Sequence, residues 1–246
     1  MIEFDAVSRA YGGRLAVDGL SLVVPRGELF ALLGPNGAGK TTTIKMLIGL
    51  LRPTAGTLRV CGYDVGDTAR PASRCLGYVP DEPFLYEKLS GREFLEFVSA
   101  MHGLQPALIA ARIAAQIAYF ELDEFIDDLA ETYTHGMRQR LAFAAALVHE
   151  PTVLVIDEPM VGLDPRSMRL VKNLLCARAA AGTTVFMSTH TLSLAEEIAD
   201  RIGVLDCGRL KFLGTMSELR EVLAAPDASL EPLFLELTEG NRKDWP

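Results

Sequence analysis

Residues 34–41 read Gly-Pro-Asn-Gly-Ala-Gly-Lys-Thr, and this stretch decides the fold of the chain around it. An apolar run at 29–33 precedes it, and a helical pattern at 42–50 follows it. Strand, glycine-rich loop and helix in this order predict a phosphate-binding loop, because the backbone N–H groups and the helix N-terminus converge on one anion. Lys40 is then placed to reach the β and γ phosphates, and the Thr41 hydroxyl to hold Mg²⁺. The alternative, a glycine turn on a surface helix, leaves the flanking strand unexplained.

The composition predicts a globular protein. The chain has 246 residues, 49% of them hydrophobic, which suffices for one α/β domain or for a core with a smaller lobe. Its formal net charge of −8 would repel nucleic acid and anionic lipid. The longest apolar run, 141–148, is far shorter than the ~20 residues that cross a bilayer, and no signal-peptide pattern is visible. We therefore expect any membrane role to depend on a protein partner.

The four cysteines are Cys61, Cys75, Cys176 and Cys207. They form no C-x-x-C pair and stand far apart in the sequence, so neither a zinc site nor a disulfide framework is predicted. We expect buried, reduced thiols in a cytosolic protein.

The spacing of the apolar residues changes along the chain. Short strands fill the first third, and from residue 90 to about 126 the apolar residues recur at helical spacing without a β-rich segment, which predicts a separate helical lobe. Strands and helices then alternate as in a parallel sheet covered on both faces. Residues 209–213 are a predicted hairpin partner, two helical segments close the chain, and the last six residues are expected to be frayed.

Two further motifs follow the phosphate loop in the sequence. Residues 153–158 read Val-Leu-Val-Ile-Asp-Glu, an apolar strand that ends in two acids. A parallel strand ends near bound phosphates, so Asp157 can hold Mg²⁺ through water and Glu158 can orient and deprotonate an attacking water. Taken alone, two adjacent acids are more often a solvated turn. A later strand, 183–188, leads to His190, and a lone histidine there would also favour a structural role.

Together these motifs resemble the nucleotide-binding subunit of an ABC transporter over nearly the whole chain. The resemblance makes 153–158 the Walker B motif and His190 the switch histidine that contacts the γ-phosphate and the catalytic water. It also implies that Tyr11 stacks on adenine and that Val17 touches the ribose, although a tyrosine there is otherwise more often a packing residue. The loop residues that would bind ATP are Asn36, Gly37, Ala38, Gly39, Lys40, Thr41 and Thr42.

The resemblance also implies a shared site. Residues 133–137 read Tyr-Thr-His-Gly-Met and align with the signature motif L-S-G-G-Q, in which only Gly136 is identical. In this family two domains sandwich ATP head to tail. The signature motif and the D-loop, which Pro159 and residues 162–164 resemble here, would therefore meet the nucleotide of the other subunit. The residues expected to act in trans are Thr134, His135, Gly136 and Asp164. Since His135 replaces a glycine, we hypothesise a weaker or pH-sensitive sandwich.

Asp81 is the clearest departure from the family pattern. The family has a glutamine there that ligates Mg²⁺ on the loop leading into the helical lobe. An aspartate also offers an oxygen, but it adds a negative charge beside Asp157 and Glu158. Direct contact with the metal and a purely structural loop acid are equally open. Phe84, Leu85 and Tyr86, next along this loop, are candidate contacts for a membrane partner or local packing residues.

The expected fold is α/β, with a P-loop NTPase (RecA-like) core and parallel sheet, an N-terminal antiparallel β lobe and an inserted α-helical lobe. As one domain, it would divide into a core with its β lobe (1–84 and 136–213), a helical lobe (85–135) and a C-terminal helical extension (214–246).

The expected function is a Mg²⁺-dependent ATPase, dimeric with itself or with a paired ATPase subunit, at the inner face of the cell membrane beneath an integral permease. Residues 136–140, 160–165 and 235–238 resemble those of the single-domain ATPases that partner exporter-type permeases, although importers use similar ATPases. The rivals are an ABC-type ATPase that serves nucleic acid or ribosomes, and a small-molecule P-loop kinase. One phosphate loop, no heptad insertion and a negative charge disfavour the first. The second leaves 133–140 and His190 unexplained.

Overall fold

The computed structural model describes residues 1–66, 69–160, 162–223, 225 and 228–239. Val161, in the D-loop, and the last six residues, which were expected to be frayed, lie outside this set. Within the described residues, no helix has both the length and the hydrophobicity that crossing a membrane requires.

The strands form two sheets. Their bounds are β1 Ile2–Tyr11, β2 Arg14–Val24, β3 Leu29–Leu33, β4 Ala55–Val60, β5 Tyr63–Asp64, β6 Leu76–Val79, β7 Val153–Asp157, β8 Thr184–Thr189, β9 Arg201–Asp206 and β10 Arg209–Gly214. The larger sheet has the order β10-β9-β3-β8-β7-β6, and all its pairings are parallel except that of β10 with β9. The smaller sheet, β2-β1-β4-β5, is antiparallel and forms the predicted β lobe.

The helices cover the sheet and build the inserted lobe. Their bounds are α1 Lys40–Leu47, α2 Ala69–Cys75, α3 Gly91–Met101, α4 Pro106–Phe120, α5 His135–Leu147, α6 Pro165–Ala180, α7 Leu192–Ile198, α8 Met216–Val222 and α9 Leu230–Glu239, with a short 3-10 helix at Ala130–Thr132. A capping box between Ser90 and Glu93 starts α3, and Asp164 caps α6 ahead of Pro165. Along the chain, the helical lobe lies between β6 and α5, where the apolar residues change to helical spacing.

The sheet explains where a site can form. Every residue of β3 and of β7 is buried, because helices or the β lobe cover both faces of the parallel sheet. The strands β3, β8 and β7 are neighbours, so the loops that follow them open at the same edge. Ligands bind at that edge in open α/β sheets.

Several sequence expectations differ from the structure. The sequence predicted short strands in the first third, whereas β1 has 10 residues and β2 has 11. Helix α2 was missed, because the Pro71 in its sequence disfavours a helix interior. Leu85 is buried in the main core, which excludes it as a surface contact.

The expectation of buried cysteines is wrong. Cys176 and Cys207 are exposed, and Cys61 and Cys75 are partly exposed; all four are free thiols. Cys61 and Cys75 also both lie beside Thr152, which their separation in the sequence concealed.

Candidate functional site

An open cleft of about 460 Å³ lies at the carboxyl edge of the larger sheet. It is lined by Ala16, Asn36, Gly37, Ala38, Gly39, Lys40, Thr41, Thr42, Asp81, Asp157, Glu158 and His190. The structure therefore brings together the whole predicted phosphate loop, both acids after β7, the loop acid Asp81 and the histidine after β8.

The phosphate loop owes its shape to close backbone contacts. Gly37 and Gly39 have φ angles of 80° and 111°, which L-residues with a side chain rarely adopt. A Cβ on Gly39 would lie 2.4 Å from the carbonyl oxygen of Ala16, and one on Gly34 would lie 2.3 Å from that of Leu205. Both contacts are with backbone atoms that cannot move aside. The loop is thus clamped between the β1–β2 hairpin and the end of β9.

Helix α1 presents an uncapped N-terminus to the cleft. Its N-cap residue is Gly39, which has no side chain to accept the first N–H groups of the helix. Those donors and the positive end of the helix dipole remain available to an anion. The observation fits a phosphate ligand.

The Lys40 ammonium is held within the loop. Its Nζ donates to the carbonyl oxygen of Gly34 at 2.7 Å and to that of Pro35 at 3.3 Å, and the residue is only 8% exposed. Burial lowers the pKa of Lys40, whereas the carboxylates of Glu158 and Asp157 act in the opposite direction. A phosphate would replace carbonyl dipoles with full negative charge, so the bound state satisfies this ammonium better.

Asp157 ends the buried strand β7 and is itself buried. The neighbouring strand places Ser188 opposite it, and the Ser188 hydroxyl donates to Asp157 Oδ1. Burial raises the pKa of Asp157, and this hydrogen bond opposes the rise. Sequence reasoning missed Ser188, because its role depends on the register between β7 and β8.

Glu158 is held in a left-handed backbone conformation with φ 49°. Its Oε2 accepts hydrogen bonds from the Thr189 hydroxyl at 3.1 Å and from the His190 backbone N–H at 3.2 Å, and its Oε1 lies 2.9 Å from His190 Nδ1. Residues with strained φ are often found where a side chain must be aimed. The predicted base and the predicted switch histidine are therefore in direct contact.

Asp81 lies in the cleft with the two acids of β7. Burial, followed by the negative charges of Glu158 and Glu82, raises the pKa of Asp81, and the imidazoles of His190 and His135 oppose this rise. Three carboxylates thus face a cleft that also holds Lys40. The two interpretations of Asp81 given above both remain, but its position among the cleft residues favours a role at the nucleotide.

The residues expected at the nucleoside end are placed less favourably. Tyr11 is exposed and the Arg9 guanidinium lies over its ring, 4.8 Å from the centroid. Val17 is 0% exposed, so its side chain has no surface for a ribose. Ala16 lines the cleft instead, because side chains alternate across β2 and the residue before Val17 faces the other way. Sequence reasoning did not select Ala16.

The signature segment does not line this cleft, although His135 is near enough to Asp81 to act on its charge. Among the described residues that line the cleft, none comes from 133–140. Thr134 caps α5 by accepting from the Met137 N–H at 3.4 Å, and His135 lies against Gly162 of the D-loop, where an added Cβ would come within 2.2 Å of His135 Cδ2. Asp164 caps α6 through the N–H groups of Arg166 and Ser167. The four residues predicted to act in trans are therefore on the surface but outside their own chain's cleft.

The oxygen donors of the cleft fit a Mg²⁺ ion that is held jointly by the protein and by the nucleotide phosphates. Among the described residues, no cluster of three or more acidic, histidine or cysteine side chains is arranged to hold a metal ion by itself. The Thr41 hydroxyl and the carboxylates of Asp157 and Asp81 do border the place where phosphates would lie. Mg²⁺ is commonly held by one or two carboxylates together with substrate phosphates.

Comparisons with known proteins agree with this geometry. The family model described as ABC transporter matches residues 17–161, which include the phosphate loop, the signature segment and both acids. A second model, for an AAA domain, matches residues 129–196 only.

Similar proteins are named as ATP-binding proteins or ATP-binding subunits. The daunorubicin/doxorubicin resistance ATP-binding protein DrrA of Streptomyces peucetius is 43% identical over 91% of this chain and 68% of the relative. The Nod factor export ATP-binding protein I of Paraburkholderia xenovorans is 40% identical over 89% of this chain and 72% of the relative. A solved structure of the ATP-binding subunit of an ABC transporter is 34% identical and superposes with a TM-score of 0.92 over 96% of this chain and 99% of that one. The chain belongs to the ABC transporter family of ATP-binding proteins.

Proposed function

We propose that this chain is the ATP-hydrolysing subunit of an ABC exporter and that it works as a dimer with two shared nucleotide sites. The observation that carries the proposal is the separation of the two halves of the site. The phosphate loop, Asp157 and Glu158 meet in one cleft, whereas residues 134–137 reach the surface outside that cleft. A second copy, turned head to tail, would bring its signature segment to the first copy's γ-phosphate.

The cleft residues divide the chemistry among them. The N–H groups of the phosphate loop and Lys40 bind the β and γ phosphates, and Glu158 takes the proton of the attacking water. His190, in contact with Glu158, orients that carboxylate and reaches the γ-phosphate. The positive end of the partner's α5 and the partner's Thr134 hydroxyl then stabilise charge on the γ-phosphoryl group as it passes from ADP to water.

Mg²⁺ completes this site. Thr41, Asp157 and, in our assignment, Asp81 are the residues that would hold it. The ion supplies charge neutralisation on the β and γ phosphates.

The relatives support export rather than import. Two of them are a drug-resistance ATP-binding protein and a Nod factor export ATP-binding protein. We transfer only the direction of transport, because in our proposal the permease, and not this chain, contacts the transported substance.

The permease would bind beside the Asp81 loop. Phe84 is 79% exposed, and its ring packs edge-on against Tyr86, which in turn contacts Phe97. A groove of about 280 Å³ between the helical lobe and the core begins at Phe84. An exposed aromatic cluster next to a groove is typical of a protein interface. We place the subunit at the inner face of the membrane through this contact.

One experiment tests the shared site. The Glu158→Gln variant should bind ATP and accumulate as a dimer in sedimentation, because binding continues while hydrolysis stops. Adding Gly136→Asp should keep ATP binding but abolish the dimer, since the new carboxylate would face a γ-phosphate across the interface. The monomer tolerates this change, because a Cβ at Gly136 meets no atom within 4 Å and an acid suits a helix N-terminus.

The matched control is Gly136→Ala in the Glu158→Gln background, which adds the Cβ without the charge and should retain most of the dimer. If the Gly136→Asp double variant dimerises as well as its parent, the site is not shared and the proposal is wrong.

Recovery of the protein with ribosomes or DNA rather than with an integral membrane protein would instead support the nucleic-acid alternative.

A further inference from the structure

Two cysteines from different parts of the chain meet at the join between the β lobe and the core. Cys61 lies in the turn between β4 and β5, at the tip of the β lobe. Cys75 is the last residue of α2 and directly precedes β6 of the large sheet. The strands of the large sheet begin here, so this cluster is at the sheet edge opposite the nucleotide cleft.

Both cysteines lie beside Thr152. Cys61 Sγ lies 3.2 Å from Thr152 Oγ1, and Cys75 borders the same residue because the next residues along the two segments, Leu76 and Val153, pair in the sheet. Cys75 Sγ also lies 3.7 Å from the carbonyl oxygen of Pro71. The fold therefore gathers two thiols around one hydroxyl.

The backbone holds both sulfurs in place. Cys61 has a left-handed φ of 51°, is followed by Gly62 at 82°, and donates its N–H to the Met1 carbonyl oxygen at 3.0 Å. Cys75 is fixed between a helix and a strand whose first residue, Leu76, pairs with Val153. The fold thus fixes the backbone of both cysteines beside Thr152.

We propose that Cys61 and Cys75 are a reversible redox site that forms an intrachain disulfide. With hydrogen peroxide as the oxidant, one thiolate attacks a peroxide oxygen and becomes a sulfenic acid as hydroxide leaves. The other thiolate then attacks the sulfenic sulfur, the S–S bond forms, and a second hydroxide leaves. Two thiols and one peroxide give one disulfide and two waters, and a dithiol reductant reverses the change.

Accessibility and charge set the rate of this reaction. Both sulfurs are partly exposed, so a small oxidant can reach them. Burial and then the neighbouring Cys61 raise the pKa of the Cys75 thiol, while the Thr152 hydroxyl and the N-terminal ammonium oppose the rise. The thiolate is the reactive form, so oxidation should be slow at pH 7 and faster at pH 9.

The disulfide would tie the tip of the β lobe to the start of β6. It would close a short loop of chain and restrict the unfolded state, so the oxidised protein should melt a few degrees higher than the reduced protein. The nucleotide cleft is at the other end of β6, and ATP affinity should change less than about twofold. This inference does not depend on the proposed transport function.

Peptide mapping tests the proposal on the wild-type chain. The protein is oxidised with peroxide at pH 8, its remaining thiols are alkylated, and it is digested without reductant for mass spectrometry. We expect a peptide pair joined through Cys61 and Cys75, with Cys176 and Cys207 alkylated, and full recovery of thiols after dithiothreitol. The variant Cys176→Ser/Cys207→Ser should give the same cross-link, and Cys61→Ser should not.

A second probe requires no oxidation. Phenylarsine oxide bridges two adjacent thiols with loss of water, and it should protect Cys61 and Cys75 together from alkylation in the native wild-type protein. Alkylation of both residues after either treatment, or a disulfide that joins two chains through Cys176 or Cys207, would overturn the proposal.

Discussion

The phosphate loop and the signature segment are both glycine-containing turns that lead into a helix, yet the chain treats them in opposite ways. In the loop, Gly34 and Gly39 are pressed against backbone carbonyl oxygens of other elements. In the signature segment, a Cβ added to Gly136 would meet no other atom within 4 Å. In our proposal the first is the half of the nucleotide site that is complete within the subunit, and the second is the half offered to a partner. We therefore expect ATP binding and ATP hydrolysis to differ in their need for a second subunit.

The side chains repeat this contrast. Lys40 has two carbonyl partners inside its own loop, and Glu158 has three contacts with 189–190. His135 instead lies on Gly162, at the surface of the D-loop. We therefore expect substitutions in the loop to affect a single subunit, and substitutions in the signature segment to act only when two subunits meet.

The largest effect should come from Glu158→Gln. This change removes the base from the cis half of the site, the cleft formed by one subunit's own residues, and keeps the shape of the side chain. Loss of the base should slow hydrolysis by about 10²–10⁴-fold while ATP affinity stays within a few-fold. Single-turnover hydrolysis and calorimetric binding measure the two quantities. Glu236→Gln, on α9, is the matched control. A Glu158→Gln variant that hydrolyses ATP at the parental rate would remove Glu158 from the role of base.

Alanine at Gly39 and at Gly136 compares the two halves directly. At Gly39 the Cβ would clash with the Ala16 carbonyl oxygen at 2.4 Å, so we expect ATP affinity to fall by at least about tenfold, or ~1.4 kcal/mol. At Gly136 nothing is displaced, and monomer affinity should stay within twofold. Calorimetry on dilute protein, with circular dichroism to confirm folding, gives the result. Equal losses at both positions would contradict the division into a finished and an open half.

Asp81 sharpens the description of the cis half. If its carboxylate contacts the metal, Asp81→Ala should raise the Mg²⁺ concentration needed for ATP binding by roughly three- to tenfold. Asp81→Gln restores a neutral oxygen donor and should recover part of the loss. Titration of Mg²⁺ at fixed ATP distinguishes the two, and an unchanged midpoint in Asp81→Ala would leave Asp81 as a structural acid only.

The smallest effect on ATPase activity should come from His135, which lies in the trans half of the site, the surface that one subunit would offer to its partner's nucleotide. Imidazole is the side chain that changes charge between pH 5 and 8, and here it stands where the ATP sandwich would close. His135→Gly should raise the ATPase rate a few-fold and flatten its dependence on pH between 6 and 8, measured at a protein concentration that permits dimers. Identical pH profiles for the two proteins would sink the hypothesis.

Local patterns predicted most of the fold. The strand at 29–33, the hairpin partner at 209–213 and the helical lobe were predictable because local apolar spacing and turn residues agree with the tertiary structure there. Helix α2 was not predicted, since Pro71 stands inside it. The lengths of β1 and β2 were underestimated because bulges interrupt their alternation.

The site was predictable where backbone chemistry defines it. The order and spacing of the glycines, the lysine and the two acids at a strand end predict their roles from sequence alone. The structure brings these residues into one cleft. Ser188, Ala16 and the burial of Val17 were not predictable, because each depends on which strand lies beside which and on the face of β2 that meets the loop. The meeting of Cys61 and Cys75 has the same origin.

The clamping of the phosphate loop by Ala16 and Leu205 has a thermodynamic consequence. A cradle that already holds its final form has little backbone freedom to lose when a nucleotide arrives, and little to regain when it departs. Exchange of ADP for ATP should therefore involve only a small change in heat capacity, while the larger entropic and hydration changes accompany the closure of two subunits.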